Sequence, residues 1–187
     1  MISAARTKVS ELAPRTARFL GGEPLLTAAS AEPLPVLFNG HVGWLHTASG
    51  PVRSGVGVVL CSPIGRDAQV TYLPTRIFAE RLAAAGFATL RFDHLDSGES
   101  LDLPPDGDNL PIWIDGVVEA ADFLRRHVAI TDVALVGIRF GASLAALAAS
   151  RANAKAVALL GPIINGRVWI RELLLASAME GPQMAPP

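Results

Sequence analysis

The sequence predicts an α/β fold: a doubly wound, mainly parallel sheet with helices on both faces. Three observations carry this reading. The apolar runs GVGVVLC (55–61), FATLRFD (87–93) and VALV (133–136) lack alternation, the pattern of strands covered on both sides. Helical segments lie between these runs, so strands and helices alternate along the chain. The connections are long enough for right-handed crossovers between parallel strands.

Each element has a local reason. Residues 31–55 carry prolines and glycines between short apolar pieces, and VGWLH (42–46) reads as a strand closed by the turn cluster TASGP. The run GVGVVLC stops at Ser62-Pro63-Ile64-Gly65. The stretch 74–86 reads as a helix, with Pro74 in its first turn, Ile77, Phe78 and Leu82 on one apolar face, and Gly86 at the C-terminal cap. After FATLRFD comes a polar, acid-rich connection (94–109). A helix over about 111–127 places Ile114, Val117, Val118, Ala121 and Leu124 on one face. The strand Val133–Val136 is followed by a turn, Gly137–Gly141, and a helix to about Arg151. AKAVALLGPI (154–163) is a last strand, and RVWIRELLLASAM (167–179) a short amphipathic helix. The expected organisation is a loosely ordered leader (1–30), one incomplete domain (31–179) and a flexible tail (180–187).

Composition excludes several function classes. Half of the 187 residues are hydrophobic, but no run of 18 or more apolar residues is free of charge, so no membrane span is expected. The net charge of −1, with no basic stripe, argues against nucleic acid and anionic membranes as partners. Arg125 and Arg126 read as a solvated helix face. The lone Cys61 rules out an intrachain disulfide and a cysteine-based zinc cluster, and reads as a small buried hydrophobe. The N-terminus lacks the apolar core of a secretory signal, so a cytoplasmic protein is expected. No cofactor is expected either: no G-x-G-x-x-G follows the first strands, and Gly137–Ser143 lacks the lysine of a phosphate loop.

In an open sheet of this kind, ligands bind at the carboxyl ends of the strands. Three connections converge there: Ser62–Asp67, Asp93–Ser100 and Gly137–Gly141. The last, in VALVGIRFGASLAALAAS (133–150), has the punctuation of a nucleophile elbow, a sharp strand-to-helix turn whose tip stands above a helix N-terminus. The order FNGHVGWLH, GVVLCSPIGRDA, ERLAAAGFATLRFDHLDSGES, VALVGIRFGASLAALAA, GPIINGRVWIREL resembles the α/β-hydrolase superfamily over about residues 38–172. It is most similar to the serine-aminopeptidase-like branch, including exosortase-associated hydrolases, with the late strands and most of the cap lacking. The resemblance implies oxyanion-hole donors on the backbone amides of Ile64 and Phe140.

The departures from that pattern concern the chemistry. The tip holds Arg139, a cation with no lone pair for attack on a carbonyl. The family's acid and histidine follow the nucleophile, yet no Asp or His follows Arg139. His94 sits in a strand-end loop and is expected to be partly exposed. GASLA (141–145) matches a G-x-S-x-A elbow variant that would make Ser143 the nucleophile, but its register, one helical turn past the strand, favours a small helix residue packed on the sheet. Ser97 and Ser100 read as turn or capping residues.

Two function classes follow. One is an ester or amide hydrolase scaffold, inactive or incomplete in this chain. The other is a non-catalytic module binding a carboxylate or phosphate at Arg139, unless Arg139 pairs internally with Asp67, Asp93 or Asp96. A small-molecule ester, amide or anion is the expected partner, with self-association possible through an uncovered sheet edge at 154–163.

Overall fold

The computed structural model describes residues 32–48, 55–104 and 107–179. The expected leader and tail, and most of the TASGP turn, lie outside the described residues. Six strands form one sheet: β1 (Leu34–Phe38), β2 (His41–His46), β3 (Val56–Cys61), β4 (Thr89–Phe92), β5 (Asp132–Ile138) and β6 (Ala156–Leu160), in the order β1-β2-β4-β3-β5-β6. The pairs β1/β2 and β2/β4 are antiparallel; β4, β3, β5 and β6 run parallel. Four helices complete the fold: α1 (Gly65–Ala84), α2 (Leu110–His127), α3 (Phe140–Ala148) and α4 (Gly166–Met179).

Strand β1 was not expected. It forms a hairpin with β2 across Asn39-Gly40, both with positive φ (45° and 86°), the backbone that a two-residue turn between twisted strands requires.

Helix α1 corrects the sequence reading at both its start and its face. It begins at Gly65, nine residues before Pro74, and carries that proline in its interior. Pro74 cannot donate to the carbonyl of Val70, but Val70 is 63% exposed, so the loss falls on the solvent side. The buried residues are Thr75, Ala79 and Ala83, whereas Ile77 and Phe78 are exposed. Small residues bring the helix close to the sheet. Its end is as expected: Gly86 donates to the Ala83 carbonyl and Phe87 to that of Leu82, the paired bonds of a Schellman cap.

The main core lies between the other sheet face and α2 and α3, with Phe38, Leu90, Phe92, Phe123, Leu124, Leu135 and Leu144 buried together. Ile114 and Val118 pack against it as their spacing implied. Arg126 is exposed, but Arg125 is not simply solvated: it donates to the carbonyls of Ala152 (2.7 Å) and Asn153 (3.1 Å), tying α2 to the end of α3. Cys61 is buried, and burial pushes its thiol up to about 12, so it is a packing residue. Among the described residues no helix is long and apolar enough to cross a membrane.

Candidate functional site

The three connections do meet at the carboxyl ends of the parallel strands. Strand β5 ends at Ile138 and α3 begins at Phe140, leaving Arg139 alone to turn the chain. It does so at φ 53° and ψ −118°, a strained backbone for a residue with a side chain. The flanking glycines make the turn possible. A Cβ on Gly137 would overlap the backbone of Ala142, and one on Gly141 would overlap the carbonyls of Cys61 and Ser62. Helix α3 therefore crosses the end of β3 backbone to backbone.

The tip is held from two sides. The Arg139 amide donates to the Leu160 carbonyl at the end of β6 (2.8 Å). Its Nε lies 3.1 Å from Asp67 Oδ2 in the first turn of α1, with the side chains 44% and 35% exposed. Of the three acids named from the sequence, Asp67 is the partner. Ile64, the residue before α1, and Phe140, the first of α3, flank this pair in sequence, and neither backbone amide donates to another described residue. The Phe140 ring stacks on Trp169 of α4 (4.9 Å) and meets Trp113 of α2 edge-on (5.5 Å).

Ser143 lies in α3 beyond the tip. Its Oγ donates to the Ile163 carbonyl and accepts from the Ile163 amide, both at 2.9 Å, so the hydroxyl pins the segment after β6. His94 corrects the expectation of a partly exposed loop residue: it is 1% exposed, and its Nε2 donates to the Ser62 carbonyl (3.0 Å), joining the connections after β3 and β4. Burial, with His41 nearby, holds it down to about 4, so the ring is neutral. Ser100 is a turn residue as expected, accepting from the Val42 amide and donating to the Asp93 carbonyl.

No family model matches the chain, and no curated protein does. Solved structures match well. An α/β serine hydrolase without a lid from Xanthomonas campestris superposes with a TM-score of 0.57 at 18% identity, over 70% of this chain and 62% of that one. The chain has the α/β-hydrolase fold. The α/β hydrolase GrgF from a Penicillium species gives a TM-score of 0.54 at 21% identity, covering 81% of this chain and 53% of its own. Est1E from Butyrivibrio proteoclasticus, solved with ferulic acid, gives 0.53 at 23% identity, covering 65% and 49%. The chain thus spans from about half to just over three fifths of the length of those structures.

One feature of the site region escaped the sequence reading. Arg91 lies on β4 with 4% exposure, beside the exit loop 93–100. A charged residue inside the apolar run FATLRFD was the available signal, since a cation in a strand covered on both faces must find a partner.

Proposed function

We propose that these residues form a hydrolase scaffold of the ester or amide type that does not itself carry out nucleophilic hydrolysis. The observation that supports it is the elbow tip: the position that should present a nucleophile holds Arg139, tied to Asp67 at 3.1 Å. No histidine is poised to serve as base. His94 is buried on the Ser62 carbonyl, His41 is buried on that of Asp93, and no His or Asp follows Arg139 in the chain. The landmark order favours the serine-aminopeptidase-like branch, and a cytoplasmic setting suits the reading. A fluorophosphonate probe is expected to leave the purified chain unlabelled, with no burst on an activated ester. Stoichiometric labelling at Ser143 would overturn the reading.

A second reading has its own support. Only Nε of Arg139 is committed to Asp67, and the Ile64 and Phe140 amides are free of protein acceptors among the described residues. A carboxylate or phosphate could bind there by displacing Asp67 from an exposed pair worth less than about 1 kcal/mol. Thermal shift with acetate and phosphate, compared between the native chain and Arg139→Ala, decides between the two.

A further inference from the structure

A cavity of about 750 Å³ lies between α1, the β2/β4 face of the sheet and the loops after β3 and β4; Ser62, Pro63 and Gly65 line it, but neither Arg139 nor Asp67 does. Its wall contains polar groups that the protein leaves unsatisfied. The Arg91 guanidinium carbon lies 4.7 Å from the Trp44 ring centroid and 5.0 Å from that of Tyr72, two rings set edge to face. Its Nε donates to His46 Nε2 (3.2 Å), and no carboxylate among the described residues lies within ion-pair distance of it. Two aromatic faces hold the guanidinium by cation–π attraction and leave its hydrogen-bonding edge uncommitted. Thr75 and His94, 4% and 1% exposed, also line the cavity, and their Oγ1 and Nδ1 atoms are buried without a hydrogen-bond partner among the described residues. Such orphaned groups are costly in a folded protein and mark a place where another molecule supplies the missing bonds.

The chemistry of the wall selects the ligand. Arg91 offers a planar fork to a carboxylate. His94 donates through Nε2, so Nδ1 of the neutral ring is an acceptor and asks for an N–H or O–H. Asp93, Asp96 and Glu99 line the cavity from the loop after β4 and favour a positive group while opposing a dianion. We propose that this cavity binds a small amino carboxylate, its carboxylate on Arg91 and its ammonium towards His94 and the acidic loop.

The test is calorimetric titration and thermal shift of the full chain with L-alanine, propionate, ethylamine and inorganic phosphate. L-Alanine is expected to bind saturably, at least about tenfold more tightly than propionate or ethylamine, each of which keeps one half of the recognition. Arg91→Gln should abolish binding. Should Arg91→Gln fail to fold, Thr75→Val keeps the proposal testable: it removes an unpartnered hydroxyl, so it should fold with an unchanged or higher Tm while weakening L-alanine. Arg139→Ala, which removes the elbow's own candidate anion site, should keep the tight, Arg91-dependent L-alanine binding, which separates this cavity from the elbow. The proposal is overturned if L-alanine does not bind, if Arg91→Gln or Thr75→Val binds it as tightly as the native chain does, or if the Arg139→Ala chain binds phosphate more tightly than L-alanine.

Discussion

Gly141 and Cys61 meet backbone to backbone: a methyl group on Gly141 would overlap the Cys61 carbonyl oxygen. That contact seats helix α3 on the end of β3. Gly141→Ala must push the helix off the strand, and its neighbour cannot yield because it is main chain. A loss of more than about 3 kcal/mol in urea unfolding is expected, at the upper end for overpacking. Gly166→Ala is the control. A Cβ there meets nothing within 4 Å and α4 continues past it, so that variant should be neutral or slightly more stable.

The strain at Arg139 can be measured apart from its ion pair. Arg139→Ala and Arg139→Gly both remove the bond to Asp67, but only glycine adopts φ 53° and ψ −118° freely. The glycine variant should be more stable than the alanine variant by about 1–2 kcal/mol. Equal denaturation midpoints would mean that the turn relaxes once the guanidinium is gone.

Restoring a hydroxyl at the tip should not restore hydrolysis. Arg139→Ser puts an oxygen above the α3 N-terminus, but no described histidine stands ready to take its proton. The nearest by connection, His94, spends Nε2 on the Ser62 carbonyl and is buried. Ester turnover by Arg139→Ser should stay at the level of the native chain, as expected of an elbow with no base. A burst with p-nitrophenyl acetate would show that a base reaches the tip.

How much of this was legible in the sequence depends on the range of the interaction. The elbow could be read because Gly137 and Gly141 are close in sequence and their requirement is local. The β1/β2 hairpin is equally local, yet its Asn39-Gly40 turn is masked by the other prolines and glycines of 31–55. Pro74 misplaced the start of α1, because the rule against interior proline weakens where the orphaned carbonyl faces solvent. Local pattern could name Asp67 only as one of three possible partners for Arg139. The Trp44–Arg91–Tyr72 clamp joins β2, β4 and α1, and no spacing rule connects residues that far apart.

Acid should weaken the fold between about pH 6.5 and pH 4. Burial holds His41, His46 and His94 down to about 4 each, with the Arg91 guanidinium adding to the effect at His46. In the unfolded chain they titrate near 6.5, so the folded state binds fewer protons across this window. Their contribution is fully present above pH 6.5, falls as pH drops through the window, and is gone below about 4. His41 and His94 account for on the order of 3 kcal/mol each. Asp93 and Glu119, raised mainly by burial, act in the opposite sense. Urea titrations at pH 7.5, 6, 5 and 4 should show a shallower pH slope for His94→Gln; an identical slope would assign the acid sensitivity elsewhere.

The uncovered side of the sheet should govern solubility. Every residue of β6 is exposed, the strand pairs only with β5 among the described residues, and α4, which follows it in the chain, exposes Ile170 and Leu174. An apolar strand edge of this kind is a template for pairing with another chain, and a lysine on it blocks that pairing. Leu159 and Leu174 are 43% and 67% exposed, so Leu174→Lys should shift stability by less than about 0.5 kcal/mol and Leu159→Lys by about 1 kcal/mol at most. Both should raise the protein concentration at which light scattering sets in, with β6 giving the larger effect because its backbone groups pair as well as its side chains. An unchanged scattering onset for both variants would mean that association uses another surface.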